Sequence, residues 1–267
     1  MIKNLPKLLF YCFLLAWNSI IAQETGFDKV GTTSFQFLKV IPNARVAAMG
    51  DASTSLVMGS DAVFFNPAIF DSHRKFGFTS SQLNWFQDTK VSSISMSWNQ
   101  NIYGIFSMHI LSVNIGKIEE TRVDHLFRDE DGTYNPGITG NSFNPSSVSY
   151  GLSYLRELTD KFTFGFGVKN ATEDLIYEKQ SVIIYDAGLL YNTGFKTLKI
   201  GTTLNNFGRE VIFIDKSYPL PQSLRIGFSG SFWGIKDGII GTSNHHGLLF
   251  SADLSQTRDH SQQQHLG

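Results

Sequence analysis

The sequence predicts an all-β protein, a transmembrane antiparallel β-barrel whose N-terminal segment folds into the barrel lumen. Three observations predict this fold. Large apolar residues alternate with small ones at a period of two, the N-terminus has the form of a secretory signal, and only 17% of the 267 residues are charged. Phe, with 23 residues, and Gly, with 24 residues, are common. This composition favours strands that contact lipid over helices.

The alternation is clearest over residues 147–154, 162–169 and 198–205, where most alternate positions are aromatic or aliphatic. The residues between them are mostly Ser, Gly and Thr, whereas the solvent face of a soluble sandwich usually carries charged residues. We therefore expect the apolar face to contact lipid and the small, polar face to line a lumen. Less regular strands are predicted over residues 76–83, 91–98, 102–113, 181–192, 222–232 and 246–254.

The links between the predicted strands differ in length, as the periplasmic turns and outer loops of outer-membrane barrels do. Nine strands is an odd number, whereas bacterial single-chain barrels have an even number. The last residues, QQQHLG, show no closing amphipathic strand. We therefore expect the chain to end before the barrel closes. Short links are predicted near residues 99–101, 156–161 and 192–196, and longer ones near 114–145, 171–181 and 208–221.

Residues 1–22 are predicted to be a signal peptide. Lys3 and Lys7 supply its positive charge, an apolar stretch follows, and Ala22 is the small residue before the cleavage point. The apolar stretch is too short and too interrupted by polar residues for a membrane anchor. Cys12, the only cysteine, lies inside this segment, so the exported chain is expected to contain no thiol.

Residues 23–75, which we call the hatch, do not alternate and are rich in Ala, Gly, Met and Ser. Small residues permit close backbone packing, so this segment is predicted to lie inside a barrel formed by residues 76–267. Ser60 is positioned to cap a short helix that ends before Asn66-Pro67.

Arg45 and Asp51 form a charged pair in the sequence of the hatch. Unpaired burial of charge is costly, so we expect the two to be paired and to pin the hatch, with ligand contact as the alternative. The residues expected to hold the structure of the hatch are Arg45, Gly50, Asp51, Asn66, Pro67 and Ala68.

Six segments, taken in order, resemble the PorV/PorQ family of FadL-like outer-membrane barrels over nearly the whole exported chain. The resemblance implies about fourteen strands in the full barrel and an inward N-terminal hatch. The chain departs from the family pattern at Ile69-Phe70, where small residues are expected. The segments are 31–39 (GTTSFQFLK), 44–52 (ARVAAMGDA), 64–68 (FFNPA), 204–208 (LNNFG), 220–227 (LPQSLRIG) and 251–254 (SADL).

Members of this family serve type IX protein secretion, and PorV-like members carry cargo to the surface attachment complex. The resemblance therefore implies an accessory barrel in the bacterial outer membrane, with lipid, secreted cargo and type IX components as partners. The near balance of 22 basic and 23 acidic residues gives no indication of nucleic-acid binding. A FadL-like channel for hydrophobic compounds is the first alternative, and a soluble secreted β protein for adhesion is the second.

The longest predicted link, residues 114–145, is acidic, contains aromatic residues and is expected to face outward. Charges steer encounter and aromatic side chains supply contact area, so this link suits a protein partner. A surface loop without a partner is the alternative. The candidate partner residues are Glu119, Glu120, Asp129, Asp131 and Tyr134.

No motif for catalysis, a cofactor or a metal is complete, so we expect no enzyme activity and no cofactor. Residues 129–132 (DEDG) resemble the start of a calcium loop but lack the full ligand spacing. His245, His246, His260 and His265 have no further ligand at a suitable spacing.

Overall fold

The computed structural model describes residues 31–56, 59–71, 73–128, 132–234, 237–243 and 245–267. The predicted signal peptide lies outside these residues. The fold is all-β, with a large antiparallel sheet. None of the helices in the described ranges is long and apolar enough to cross a membrane.

Eleven strands form the main sheet, in the order β1-β2-β3-β6-β7-β8-β9-β12-β14-β15, with β13 paired in parallel to β12. Two separate hairpins, β4–β5 and β10–β11, extend from its links. The strands are β1 (Phe76–Asn84), β2 (Lys90–Asn99), β3 (Ile105–Asn114), β4 (Ile118–Arg128), β5 (Tyr134–Phe143), β6 (Ser146–Glu157), β7 (Phe162–Asp174), β8 (Lys179–Asn192), β9 (Lys199–Gly208), β10 (Val211–Phe213), β11 (Lys216–Tyr218), β12 (Ser223–Gly234), β13 (Gly241–Thr242), β14 (Leu248–Thr257) and β15 (Gln263–Leu266).

All nine predicted strands are present, and they are the long strands of the main sheet. Two expectations about the links were wrong. The predicted loop 114–145 is mostly the hairpin β4–β5, and the predicted link 171–181 is a four-residue turn, because β7 and β8 continue their backbone pairing up to Asp174 and Lys179. The residues after Gln262, where no closing amphipathic strand is predicted, contain the four-residue strand β15, which pairs with β14.

The predicted alternation of faces is confirmed. On β7 the side chains of Phe162, Phe164 and Phe166 are 44%, 37% and 40% exposed, while Gly165 and Gly167, which belong to the opposite face, are buried. We call the apolar face of the main sheet the outer face and the other the inner face. Every long strand places a large exposed apolar side chain on the outer face: Phe78, Ile94, Met108, Leu152, Phe166, Leu189, Leu204, Ile226 and Leu254.

The side chains on the outer face differ between the two ends of the strands. At one end a row of aromatic side chains crosses five neighbouring strands in direct register, namely Phe76, Trp98, Phe106, Tyr154 and Phe166. At the other end, from which the two hairpins extend, β7 and β8 carry a polar cluster on the outer face. There Asn170, Thr172 and Ser181 hydrogen-bond to one another. We call this second end of the sheet the hairpin end.

The described part of the hatch packs on the inner face. It contains helix α1 (Ala44–Ala48) and two 3-10 helices, Gln36–Lys39 and Ser60–Phe64. Asn43 begins α1, because its Oδ1 accepts a hydrogen bond from Val46 N at 2.9 Å.

The predicted short helix before Asn66 is present, but Ser60 does not cap it. Its hydroxyl instead contacts the Thr79 hydroxyl at 2.9 Å and the Ser95 carbonyl at 3.3 Å, which joins the hatch to β1 and β2.

Apolar contacts also hold the hatch. Phe35 and Phe37 lie in a buried cluster with Val91 of β2, Val113 of β3 and Ile184 of β8. A second cluster is formed within the hatch by Val46, Leu56, Ala62, Phe65 and Ile69. The small residues of the inner face therefore leave room for a segment that has its own core.

Candidate functional site

The C-terminal strands bind the hatch through a buried charge network. Asp253 of β14 accepts hydrogen bonds from the backbone N–H groups of Ser53 and Thr54, both at 2.9 Å. Arg225 of β12 donates to the Asp51 side chain at 2.8 Å and to its carbonyl at 2.7 Å. Its guanidinium also lies 3.9 Å from Asp253. One cation and two backbone donors thus compensate the buried carboxylate of Asp253 and the partly buried carboxylate of Asp51.

The expected pairing of Arg45 with Asp51 was wrong. Asp51 is paired, but its partner is Arg225. Arg45 lies on an exposed side of α1 and forms no ion pair with any residue that the structure describes. The reason is geometric, since α1 ends before Asp51 and the chain turns there through left-handed conformations, with φ of 60° at Gly50 and 68° at Asp51.

Gly50 also meets the last strand. A β-carbon on Gly50 would lie 2.8 Å from the Leu266 carbonyl oxygen, so the close approach requires glycine. The His265 ring contacts the Gly50 carbonyl through Nδ1 at 2.9 Å and the Ser255 hydroxyl through Nε2 at 2.9 Å. A carbonyl only accepts, so Nδ1 carries the hydrogen, and in the neutral ring Nε2 accepts from Ser255.

A second charged contact joins the start of the described hatch to the turn after β14. Asp259, which is buried, accepts hydrogen bonds from Thr33 at 2.9 Å and Gln36 at 3.2 Å, and it forms an ion pair with Lys39. Burial alone would raise the pKa of Asp259, but the hydrogen bonds from Lys39, Gln36 and Thr33 outweigh it and lower that pKa to about 2. We call Arg225, Asp253 and Asp259 the charged seat.

On β7 and β8 the hatch rests on glycines. Gly165 and Gly188 are register partners on the inner face. A β-carbon on Gly165 would overlap the Pro67 carbonyl, and one on Gly188 would overlap the Asn66 side-chain oxygen. The backbone of the hatch therefore touches the backbone of the sheet here, which only glycine permits.

The next two strands repeat this arrangement. Gly201 of β9 and Gly227 of β12 are also register partners. A β-carbon on Gly201 would overlap the Thr54 carbonyl, and one on Gly227 would overlap the Asp253 carboxylate that binds Thr54 N. We call Gly165, Gly188, Gly201 and Gly227 the glycine seat.

The Asn66-Pro67-Ala68 turn connects the parts of the hatch above the glycine seat. Asn66 is fully buried. Its amide donates to the Thr54 carbonyl at 2.7 Å, and its side-chain oxygen accepts from Ala68 N at 2.9 Å. Asn66 thus fixes the local turn and ties it to the segment that Asp253 holds.

The candidate partner residues lie on the hairpin β4–β5. Glu119 is exposed, and Tyr134 is 59% exposed. Glu120 is engaged within the hairpin, where hydrogen bonds from Asn141, Thr139 and Arg122 lower its pKa to about 2. Asp129 and Asp131 lie outside the described residues.

No group of three or more His, Cys, Asp or Glu side chains in the described ranges is arranged to hold a metal ion. His265, considered above as a ligand, is engaged with Gly50 and Ser255.

Sequence reasoning missed the charged seat, although a signal was present. Arg225 and Asp253 occupy inner-face positions of strands whose other inner-face residues are small, and a charge at such a position needs a partner. What the site does chemically is to bind the chain's own N-terminal segment. No family model and no curated protein matches this chain.

Proposed function

We propose that this chain is an outer-membrane β-barrel of the PorV/PorQ type, an accessory of type IX secretion and cargo attachment that is not an enzyme. The observation that carries the membrane part is the outer face, on which nine long strands expose large apolar side chains. Soluble monomers rarely expose contiguous apolar patches beyond a few hundred Å². Lipid accounts for such a face, because the polar residues are turned inward onto the hatch.

The distribution of aromatic and polar side chains along the outer face also supports placement of the sheet in a membrane. Outer-membrane barrels carry an apolar band about 25 Å tall with aromatic girdles at its borders. The aromatic row from Phe76 to Phe166 fits one girdle, and the polar cluster of Asn170, Thr172 and Ser181 fits a part of the sheet that lies above the lipid. The proposal includes closure of the sheet into a barrel, because unpaired strand edges are not tolerated in lipid.

Two observations favour the secretion role over a channel for hydrophobic compounds. The cavity between the hatch and the inner face is small, about 200 Å³, and charged side chains such as Lys39, Lys169 and Arg225 line it. A hydrophobic compound needs an apolar path instead. The hairpin β4–β5 also projects from the sheet with exposed apolar side chains, among them Val123 at 84% exposure. Such a surface suits a protein partner.

The membrane placement is tested by a pair of substitutions on β7. Phe164→Arg puts a charge on the outer face next to the aromatic row, at the border of the proposed apolar band, and should cost on the order of 1 kcal/mol of folding free energy. Thr163→Arg, the neighbouring position on the inner face, should cost less unless it displaces the hatch. Folding titrations into liposomes measure both values. Equal tolerance of the two substitutions would contradict the placement, as would recovery of the full-length protein from the soluble periplasm.

The secretion role is tested by deleting residues 119–142, which removes most of the hairpin β4–β5. The barrel should still assemble, since the hairpin pairs only with itself among the described strands. Display of type IX cargo at the cell surface should fall, while uptake of hydrophobic compounds should not change. Normal display after this deletion would remove the hairpin from the mechanism. Normal display after loss of the whole gene, with impaired uptake, would favour the channel.

A further inference from the structure

A groove on the outer face lies at the hairpin end of β7 and β8 and reaches the end of β9. The strand register places it there, because Asn170 of β7 is the partner of Ile183 of β8, and Arg209 directly follows the last residue of β9. Its volume is about 550 Å³. The residues that line it are Asn170, Ser181, Val182, Ile183, Tyr185 and Arg209.

The polar groups of this groove are mostly unengaged donors. The Asn170 side-chain oxygen accepts hydrogen bonds from Ser181 at 3.0 Å and from Thr172 at 3.4 Å, which orients the amide and leaves its NH2 group without a partner among the described residues. The Arg209 side chain is exposed and forms no ion pair in the described ranges, and the partly exposed Tyr185 hydroxyl forms no hydrogen bond there. A guanidinium, an amide NH2 group and a phenol together suit a ligand whose oxygens only accept.

The charge of the groove is positive. None of the described residues that line it is acidic. Neighbouring cations are neutralised instead, because Lys179 lies 3.2 Å from Asp174 and Arg258 lies 3.0 Å from Glu210. Arg209 therefore keeps a charge that no carboxylate compensates. A guanidinium in this situation is suited to a phosphate group, with which it forms two parallel hydrogen bonds.

Apolar side chains border the groove on the side of the aromatic row. Val168 of β7 and Phe207 of β9 are both register partners of Tyr185, and both are exposed on the outer face. Tyrosine is typical of the level at which lipid headgroups meet the apolar part of a membrane. A ligand that fits both regions has an anionic head for the groove and an apolar chain for the surface beside it. A free phosphate ion would use the groove alone.

We propose that this groove binds the phosphate of an anionic membrane lipid, whose acyl chains lie along Val168 and Phe207. The inference rests on the membrane placement in the proposed function, and it is independent of the role in secretion. It assigns a specific lipid contact to the part of the outer face where the polar cluster meets the apolar surface.

The test uses the purified full chain in lauryldimethylamine oxide micelles, with bound lipid counted by native mass spectrometry. The probes are dihexanoylphosphatidic acid and dihexanoylphosphatidylcholine, which have the same acyl chains, but only the first has a headgroup with net negative charge. Phosphatidic acid should bind at least about tenfold more tightly, which corresponds to roughly one hydrogen bond to a charged group. Equal binding of the two lipids would overturn the proposal.

Inorganic phosphate distinguishes a lipid site from a site for the free ion. In an amount equimolar with the lipid, it should leave bound phosphatidic acid unchanged, because it gains nothing from the apolar surface beside the groove. Displacement of the lipid by equimolar inorganic phosphate would overturn the proposal in favour of a site for the free ion.

Three variants locate the binding. Arg209→Gln removes the cation and should weaken binding of phosphatidic acid by about tenfold or more. Asn170→Asp keeps the acceptor for Ser181 but replaces the NH2 donor by a negative charge, so it should weaken binding as strongly. Lys216→Gln is the matched control, because Lys216 is an exposed cation of β11 that does not line the groove. Its Kd should stay within about twofold of the wild type. Equal weakening by Arg209→Gln and Lys216→Gln would overturn the proposal.

Failure of this inference is distinguishable from failure of the membrane placement. Equal tolerance of Phe164→Arg and Thr163→Arg in the liposome titration would contradict the placement, and the groove proposal with it. A chain that distinguishes those two substitutions but binds both lipids equally would contradict the groove proposal alone.

Discussion

The glycine seat and the charged seat hold the same segment in different ways. The glycine seat, on β7, β8, β9 and β12, acts through shape, because its lack of side chains leaves room for the backbone of the hatch, for the Asn66 side chain and for the Asp253 carboxylate. The charged seat, on β12, β14 and the following turn, contacts it through carboxylates and a guanidinium. The first should therefore be insensitive to pH and intolerant of any added atom. The second should tolerate small changes of shape but depend on which groups are ionised.

The largest effect is expected from removal of the central cation of the charged seat. Arg225→Met leaves Asp51 and Asp253 without their cation, and Asp253 is buried. Loss of one partner of a buried ion pair costs about 3–5 kcal/mol. We expect a decrease of that size in the free energy of unfolding, measured by denaturant titration of the complete protein.

The matched control is Arg45→Met. Arg45 has the same charge as Arg225 and lies in the hatch near Asp51, but it is exposed and has no ion-pair partner among the described residues. Its replacement should change the free energy of unfolding by at most about 0.5 kcal/mol. Similar decreases in the free energy of unfolding for Arg225→Met and Arg45→Met would contradict a specific stabilising role of Arg225 in the charged seat.

A smaller effect is expected in the glycine seat. Gly165→Ala places a methyl group on the Pro67 carbonyl, so the hatch has to move away. Overpacking of this kind costs about 1–3 kcal/mol. Gly167→Ala is the control on the same strand and face, because its methyl group meets only the Ser153 hydroxyl, at 2.7 Å, which can rotate. Proteolysis of the hatch should accelerate in the first variant alone, and equal acceleration in both would contradict the glycine seat.

The smallest effect is a loosening of the hatch in acid. The pKa of Asp259 is lowered from its ordinary value of 3.8 to about 2, so its stabilising contribution is fully present above pH 4 and is lost as the pH falls through 2. Pepsin cleavage within residues 33–39 should accelerate in the wild type between pH 4 and pH 2.

Asp259→Asn separates this effect from the pH dependence of pepsin itself. The variant should already be cleaved faster at pH 4, and its ratio to the wild type should approach one at pH 2. A constant ratio across this range would mean that ionised Asp259 does not hold the hatch. Cleavage near Pro67, above the glycine seat, should show no such convergence.

The nine long strands were predictable because each depends on an alternation among neighbouring residues. The hairpin β4–β5 was not found, because both of its faces are largely exposed and its strands carry no regular apolar alternation. The one local signal was Asp131-Gly132, a dipeptide typical of hairpin turns, which was interpreted as part of an acidic loop. The strands β10, β11, β13 and β15 have two to four residues each and leave too short a pattern.

The contacts of the hatch were less predictable than its location. The need of Asp51 for a charged partner follows from burial, but the partner, Arg225, lies 174 residues away. The glycines of the glycine seat resemble any small inner-face residue in the sequence. The requirement for glycine at these positions becomes visible only when the backbone of Pro67 or Thr54 is placed against them. The alternation of residues within a strand predicts which side chains share a face of the sheet. Which distant residues contact each other depends on the assembled fold.

The sequence separation of these contacts also orders the assembly of the molecule. Ser53 and Asp253 are 200 residues apart, and Thr33 and Asp259 are 226 residues apart. Contacts between such distant residues form late, because most of the intervening chain must be arranged first. The hatch is made early during synthesis, yet its contacts with Asp253 and Asp259 can form only after β14 and the turn beyond it are in place. Formation of these contacts by the N-terminal segment therefore requires that the strands it contacts have already formed.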